Sequence, residues 1–134
     1  MSCPPGGWPV TEAQAERAVV ELFRLYGWEV NVMREDIHVG SRGIPDLMCV
    51  SPHGLVLFIE CKRPASSRNP RGRVRKAQRE RLIEWRRRGV PCCVVDGVTT
   101  VLKDMAHWYA VDETPGRLLL ACDVLMYGVD WWPA

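Results

Sequence analysis

Asp46, Glu60 and Lys62 are polar residues within otherwise apolar, strand-like sequence, and their spacing could bring them together. Two strand-forming segments flank Pro52-His53-Gly54, which is typical of a three-residue hairpin loop with glycine in the left-handed conformation. In that register the residue numbers of paired positions add to 106. Asp46 then lies opposite Glu60, with Cβ atoms roughly 5 Å apart. Lys62 points to the same face, because side chains alternate along a strand.

This cluster could hold a divalent metal ion. Two adjacent carboxylates repel and raise one another's pKa unless a positive charge lies between them. Lys62 supplies one positive charge, whereas a hard divalent cation would supply two and prefers oxygen ligands. Such an ion could polarise a phosphodiester and activate a water, with the lysine placed to assist. The alternative is a purely structural network of Asp46, Lys62 and Glu60 at the edge of a sheet.

A concentrated block of positive charge follows the cluster. Of the 18 Lys and Arg residues in the chain, twelve lie in residues 62–88, which contain only two acidic residues. Such a block attracts a polyanion, and contacts with nucleic-acid phosphates are the usual reason. The alternative is a solvated helix face in an arginine-rich protein. The position of the block, directly after the carboxylates, favours nucleic acid.

Length and composition are those of a globular protein with one domain. The chain has 134 residues, of which 47% are hydrophobic and 25% charged. Its apolar runs are too short to cross a membrane, and no signal-peptide pattern opens the sequence, so we expect a soluble cytoplasmic protein. The six cysteines show no CxxC pair and no zinc-ligand spacing. We therefore expect reduced, mostly buried thiols.

Hydrophobic periodicity and turn signals predict seven elements in the order α-β-β-β-α-β-α. The predicted helices lie between Thr11 and Gly27, at about 75–88 and at 99–110, and the predicted strands at 28–33, 44–50, 55–61 and 90–95. Thr11 and Gln14 match a capping box. The apolar stripe predicted for the first helix consists of Ala15, Ala18, Val19, Leu22, Leu25 and Tyr26. Helices on both faces of a sheet would cover this order of elements.

We predict one folded core with short flanking segments. Residues 1–10 are rich in proline and glycine and are expected to form an irregular arm. The core domain is expected at 11–110, with a mobile basic loop at 63–74. Residues 111–134 are expected to form a C-terminal extension packed on the same domain, with a strand or short helix near 118–126.

The motifs at the cluster resemble a nuclease signature. Gly43-Ile44-Pro45-Asp46-Leu47, followed by Phe58-Ile59-Glu60-Cys61-Lys62, resembles the PD-(D/E)XK pattern. With a helix that contains Gln78, the motifs are similar to the VRR-NUC nuclease domain over about residues 11–96. Ala13-Gln14-Ala15-Glu16-Arg17 with Gly27 also resembles the first helix of archaeal Holliday junction resolvases. The resemblance implies an α/β fold with a restriction-endonuclease-like core, in which a mixed sheet is flanked by helices.

The resemblance implies roles for the residues of the cluster. Asp46 and Glu60 would be the metal-binding carboxylates, and the backbone carbonyl of Cys61 would be a further ligand. Lys62 would stabilise developing charge or orient the attacking water. The metal would be Mg²⁺, with Mn²⁺ as a substitute.

Two further catalytic residues follow from the same resemblance. Gln78 matches the glutamine on the helix behind the site, and Glu16 matches the acid of the first helix, eleven residues before the glycine. Glu12, one turn earlier, competes with Glu16 for that role. Glu12 could instead complement the positive end of the helix dipole.

The resemblance implies a divalent-metal-dependent endodeoxyribonuclease that hydrolyses branched, flap or four-way-junction DNA in repair or recombination. It also implies a homodimer. Basic residues would hold the DNA backbone without reading sequence, namely Arg63, Arg68, Arg71, Arg73, Arg75, Lys76 and Arg79. One alternative is a non-catalytic DNA-binding accessory protein that keeps the nuclease fold, against which the intact acid–lysine cluster argues. A sequence-specific restriction-type endonuclease is the other, and the absence of an extra recognition domain argues against it.

Overall fold

Three helices and four strands make up the described part of the chain. The computed structural model describes residues 11–33, 43–65, 72–97, 100–111, 121, 122 and 125. The elements are α1 (Glu12–Leu25), β1 (Glu29–Val32), β2 (Leu47–Val50), β3 (Val56–Cys61), α2 (Lys76–Arg87), β4 (Cys92–Val95) and α3 (Thr100–Val111). The predicted order α-β-β-β-α-β-α is confirmed. The predicted arm at 1–10 and most of the segment 111–134 lie outside the described residues.

The four strands form one mixed sheet in the order β1-β2-β3-β4. β1 pairs with β2, and β2 with β3, in antiparallel fashion, whereas β3 and β4 are parallel. A parallel pair needs a crossover, and α2 lies in the segment that joins β3 to β4. The mixed α/β architecture expected from the sequence is confirmed.

The β2–β3 hairpin has the predicted register. Leu47 pairs with Ile59, so the residue numbers of paired positions add to 106. Gly54 in the loop has a φ of +89°, in the left-handed region that favours glycine. The hydroxyl of Ser51 accepts a hydrogen bond from the backbone N–H of Leu55 at 2.9 Å and helps to close the loop. This register decides which residues meet at the far end of the hairpin.

Helices cover both faces of the sheet. α2 packs on one face, where the ring of Trp85 meets Phe58 of β3 edge-on with centroids 4.7 Å apart. On the other face Trp28 contacts Phe23 of α1 edge-on at 4.9 Å and donates from Nε1 to the Ala106 carbonyl of α3 at 2.8 Å. α1 and α3 are thereby joined over the sheet. No helix among the described residues is both long and apolar enough to cross a membrane.

α1 begins as predicted but buries a different face at its end. Thr11 and Gln14 exchange the two hydrogen bonds of a capping box, each 3.1 Å long. Phe23, absent from the predicted apolar stripe, is fully buried, whereas Leu25, included in it, is 76% exposed. Leu25 lies roughly a third of a turn from the centre of the buried face, so its inclusion was wrong.

The described cysteines are free, buried thiols, as expected from the sequence. They are Cys49, Cys61, Cys92, Cys93 and Cys122, and Cys3 lies outside the described residues. Burial raises the pKa of Cys49 to about 12. A thiol with a raised pKa stays protonated at neutral pH and behaves as a small apolar core residue.

Both described ends of the predicted basic loop at 63–74 are fixed in place. The backbone N–H of Gly72 donates to the carbonyl of Arg63 at 2.8 Å, and Val74 is buried. Residues 66–71, including Arg68 and Arg71, lie outside the described part of the chain. Backbone pairing and an apolar anchor therefore hold the described ends of this segment, and the mobility of the loop stays a prediction.

The burial of α1 predicts unequal costs for two truncations on one helix. Phe23→Ala should lower the free energy of unfolding by about 3–5 kcal/mol, because it removes a fully buried ring. Leu25→Ala should change it by less than about 0.5 kcal/mol, because Leu25 already faces solvent. Chemical denaturation of both variants tests this, and equal losses would contradict the assignment of the buried face.

Candidate active site

The open end of the β2–β3 hairpin brings the two predicted carboxylates together. Asp46 directly precedes β2, and the register that pairs Leu47 with Ile59 places Asp46 opposite Glu60. Asp46 acts on the Glu60 carboxyl through a side-chain hydrogen bond and through its charge, and both raise the pKa of Glu60. Glu60 is only 2% exposed, so its carboxyl group is largely removed from water. A partly buried acid and a buried acid thus face each other at the end of the sheet.

Backbone N–H groups bind both the main-chain carbonyl and the side-chain carboxylate of Asp46. Its carbonyl accepts a hydrogen bond from the N–H of Met33 at 2.7 Å, which extends the β1–β2 pairing by one residue. Its carboxylate Oδ2 accepts a hydrogen bond from the N–H of Cys61 at 3.0 Å. The orientation of this carboxylate is therefore set by the strand that carries Glu60.

The backbone carbonyl of Cys61 points toward the same place. The next N–H, that of Lys62, donates to the carbonyl of Val95 in β4 at 2.9 Å. In a trans peptide the N–H and the preceding C=O point in opposite directions, so the Cys61 carbonyl points away from β4 and toward the Asp46 side. Three oxygen donors, from Asp46, Glu60 and the Cys61 backbone, therefore face one region.

A glutamine links the buried lysine to the buried glutamate. Lys62 is 6% exposed and donates from Nζ to Oε1 of Gln78 at 2.8 Å. The Nε2 of Gln78 donates to Oε2 of Glu60 at 2.9 Å. Lys62 Nζ lies 4.0 Å from Oε1 of Glu60, so this ion pair is long. Gln78 thus fixes the spacing between the two charges.

Gln78 also supports the start of α2. Arg75 is the N-cap residue, and its side chain makes no capping hydrogen bond. The backbone N–H of Arg75 instead donates to Oε1 of Gln78 at 3.1 Å. Gln78 occupies the third helical position, from which a glutamine can reach back to the cap. The sequence predicted that α2 starts near Arg75 but missed this second use of Gln78.

The electrostatics of the site are unfavourable for two negative charges. Burial, followed by the hydrogen bond and the charge of Asp46, raises the pKa of Glu60 to about 10, although Lys62 opposes this shift. The charge of Glu12 adds a smaller increase to the pKa of Glu60. Additional positive charge at this point would favour the ionised carboxylates.

The acids of α1 lie close enough to influence the site. Glu16 is 5% exposed, and Glu12 is exposed at the first position of the helix. Burial raises the pKa of the Cys61 thiol, and the charges of Asp46, Glu16 and Glu60 raise it further. Glu16 therefore approaches the end of β3 from the α1 face. Whether Glu16 or Glu12 is the functional acid of α1 remains a prediction.

The oxygen donors fit a hard divalent metal ion. Within the described ranges, no group of three or more His, Cys, Asp or Glu side chains is arranged to hold a metal. The candidate centre consists instead of the carboxylates of Asp46 and Glu60 with the carbonyl of Cys61. Such a donor set is typical of a hard cation, and the crowded like charges of the two acids would be relieved by it.

Of the basic residues predicted to bind DNA, Arg73, Arg75, Lys76 and Arg79 lie at the start of α2, whereas Arg68 and Arg71 are outside the described residues. Arg73, Arg75 and Lys76 are exposed, and Arg63 and Arg79 are partly buried. Lys76 lies 3.9 Å from Glu80 in a well-exposed ion pair. No ion pair joins Arg73, Arg75 or Arg79 to another described residue. Their charges are therefore available for phosphate groups.

Comparison with known proteins gives the family. A VRR-NUC domain model matches residues 3–99, well over half of the chain. The chain belongs to the VRR-NUC domain family. A solved structure described as a VRR_NUC domain superposes with a TM-score of 0.58 at 26% identity, covering 73% of this chain and 97% of the other. The resemblance inferred from the motifs is therefore confirmed.

A curated phage protein is also similar to part of this VRR-NUC chain. "Putative nuclease p44" of Acyrthosiphon pisum secondary endosymbiont phage 1 is 30% identical over 61 residues. The match covers 46% of this chain and 62% of the phage protein, so it spans less than two thirds of that relative. VRR-NUC domains usually need a divalent metal ion. That requirement agrees with the donor set at the hairpin end.

The repulsion at this VRR-NUC site predicts a stabilising substitution. Near pH 10, Asp46→Asn should raise the free energy of unfolding in EDTA by on the order of 1 kcal/mol, or several degrees in Tm, because it removes two causes of the raised pKa of Glu60 and lets that carboxyl ionise at a lower cost. The Asn oxygen can still accept from Cys61, while its amide can donate to Glu60. Thermal unfolding in EDTA measures the change, with Asp104→Asn on the exposed face of α3 as the control. A Tm below that of the wild type would contradict the repulsion.

Proposed function

We propose that this VRR-NUC protein is a divalent-metal-dependent endonuclease that hydrolyses phosphodiester bonds in DNA. The observation that carries the proposal is the contact between the partly buried Asp46 and the buried Glu60, beside the buried Lys62. A protein that only bound DNA would have no use for two acids in contact at this point, since negative charge repels phosphate. Membership of the VRR-NUC family supports the same conclusion.

Asp46, Glu60 and the carbonyl of Cys61 would hold the metal ion. A bound divalent ion supplies Lewis-acid polarisation of the phosphodiester and lowers the pKa of a bound water. The N–H of Cys61 fixes the carboxylate of Asp46, and the amide of Gln78 fixes one oxygen of Glu60. The ligands are thus pre-oriented by hydrogen bonds that do not depend on the ion. Mg²⁺ is the proposed ion, with Mn²⁺ as a substitute.

Lys62 would act on the substrate side of the site. Its ammonium group donates a hydrogen bond to Gln78 and lies 4.0 Å from Glu60. The positive charge is therefore near the carboxylates but is not neutralised by a close ion pair. A fixed ammonium can stabilise negative charge that develops on a phosphate or orient the attacking water. Glu16 is the proposed acid of α1, and Glu12 is the second candidate.

The basic residues around the start of α2 would bind backbone phosphates. Arg73, Arg75 and Arg79 lack ion-pair partners among the described residues, and all three lie within six residues of Gln78 along the chain. Phosphate contacts of this kind position a duplex without reading its sequence. Arg63, Arg68, Arg71 and Lys76 belong to the same proposed surface.

The finer specificity rests on the family resemblance. We propose branched, flap or four-way-junction DNA as the substrate, a role in repair or recombination, and a homodimer that presents two sites to two strands. Cleavage confined to branched DNA would support this specificity, and equal cleavage of a plain duplex would contradict it. Light scattering of the purified chain tests the dimer.

Cleavage should require a divalent metal ion and Asp46. With labelled duplex, flap and four-way-junction DNA, we expect products in Mg²⁺ or Mn²⁺ and none in EDTA. Asp46→Asn should lower the cleavage rate at least about 10²–10³-fold, a loss typical of removing one essential electrostatic group. DNA affinity, measured in EDTA by gel shift, should stay close to that of the wild type.

Asp104→Asn is the control for this experiment, because it removes an exposed carboxylate from α3. Normal cleavage by Asp46→Asn would contradict the proposed site. Tight binding by the wild type without cleavage under every metal condition would instead favour a non-catalytic accessory protein.

The phosphate contacts predict a change in salt dependence. Each lost contact to B-form DNA should reduce the slope of log affinity against log salt concentration by about 0.9. Arg75→Ala with Arg79→Ala should therefore reduce the slope by roughly 1.8. Lys103→Ala, which removes an exposed positive charge from α3, is the control. An unchanged slope in the double variant would remove these arginines from the proposed DNA surface.

A further inference from the structure

We propose that Gly43 is a positioning residue, whose lack of a side chain lets the start of α2 approach closely enough for Gln78 to bridge Lys62 and Glu60. Gly43 has a φ of +82°. A Cβ atom at this position would lie 2.6 Å from the carbonyl oxygen of Ala77 and 3.2 Å from the Cα of Gln78. The effect on cleavage rests on the proposed function, whereas the effect on Gln78 does not.

The contact at Gly43 involves backbone atoms, so no side-chain rotation can relieve it. Carbon and oxygen atoms are rarely closer than about 3.4 Å, so a Cβ at 2.6 Å would have to separate the two segments by roughly 1 Å. Either the chain leading into β2 or the first turn of α2 must move. The missing side chain of Gly43 therefore sets the distance between these two segments.

A shift of that size would break the bridge made by Gln78. Its bonds to Lys62 and Glu60 are 2.8 and 2.9 Å long, and its bond to the N–H of Arg75 is 3.1 Å. Moving the helix by roughly 1 Å takes such contacts beyond hydrogen-bond range. Gly43 thus acts through Gln78 on the two charges of the proposed site.

Two other glycines make it possible to distinguish the effect of this close contact from the effect of backbone strain. Gly89, which follows α2, has a φ of +83°, and Gly54 has a φ of +89°. A Cβ atom at either position would meet no atom within 4 Å. Substitution of Gly89 or Gly54 therefore imposes the same left-handed strain as at Gly43 without the collision.

The first experiment reads the position of Gln78 directly and needs no enzymatic activity. In ¹H–¹⁵N NMR spectra of the full chain, the side-chain amide of Gln78 and the backbone amide of Arg75 report on the bridge. The backbone amide of Cys61, bonded to Asp46, reports on the carboxylate side. Gly43→Ala should move the signals of Gln78 and Arg75 toward those of solvated amides and leave that of Cys61 in place.

Gly89→Ala should leave all three signals unchanged. Should Gly43→Ala fail to fold, Gly43→Asn introduces the same Cβ with less strain, because asparagine tolerates the left-handed region better than alanine. Wild-type signals of Gln78 and Arg75 in a folded Gly43 variant would overturn the proposal. A shift of the Cys61 signal, in addition to shifts of the Gln78 and Arg75 signals, would also overturn the proposal. Gly43 would then act through Asp46.

The second experiment uses the cleavage assay on the same DNA. Gly43→Ala should lower kcat about 100-fold, since a displacement near 1 Å can have an effect of that size. In a Gln78→Ala background, Gly43→Ala should cause no further loss, whereas independent effects would multiply. Multiplying losses would overturn the proposal. If the wild type cleaves no DNA under any condition, the proposed function fails, and the NMR result alone decides the role of Gly43.

Discussion

The close approach of two acidic side chains, Asp46 and the buried Glu60, at the end of one hairpin is the constraint on which the rest of the site depends. The β2–β3 register forces Asp46 and Glu60 to face each other, and the burial of Glu60 denies its carboxyl the water that would favour the ionised form. Such a pair is costly to the fold unless positive charge and hydrogen-bond donors surround it. The N–H of Cys61, the ammonium of Lys62 and the amide of Gln78 are the donors of that kind.

Gln78 couples this electrostatic requirement to the geometry of α2. One side chain satisfies Lys62 and Glu60 and also accepts from the backbone N–H of Arg75 at the start of the helix. One side chain therefore joins the first turn of α2 to Lys62 and Glu60, so a displacement of that turn disturbs the hydrogen bonds of both groups. Gly43 packs closely against the same turn, so the segment that carries Asp46 is also in contact with the start of α2.

Much of the site could be predicted from the sequence because it depends on strand register. Pro52-His53-Gly54 fixed the pairing of the hairpin, and the pairing placed Asp46 opposite Glu60 without any knowledge of tertiary structure. The tertiary contacts could not be predicted in this way. Leu25 was assigned to the core because periodicity does not show where the buried face of a helix is centred. The close approach of Gly43 to α2 involves the backbones of segments more than thirty residues apart, for which no local pattern exists.

The distribution of ion pairs along α2 explains how an acidic centre can attract a polyanion. At the far end of the helix Glu84 pairs with Arg88 at 2.9 Å and with Arg87 at 4.0 Å, so positive charge there is partly neutralised. At the near end Arg75 and Arg79 have no such partner among the described residues, and the helix dipole adds partial positive charge. Unpaired positive charge among the described residues of α2 is thus concentrated at the end of the helix from which Gln78 contacts Glu60. Under the proposed function, a phosphate backbone drawn to these arginines would meet Lys62 and the acidic pair together, and a cation between the acids and the phosphate would offset their repulsion.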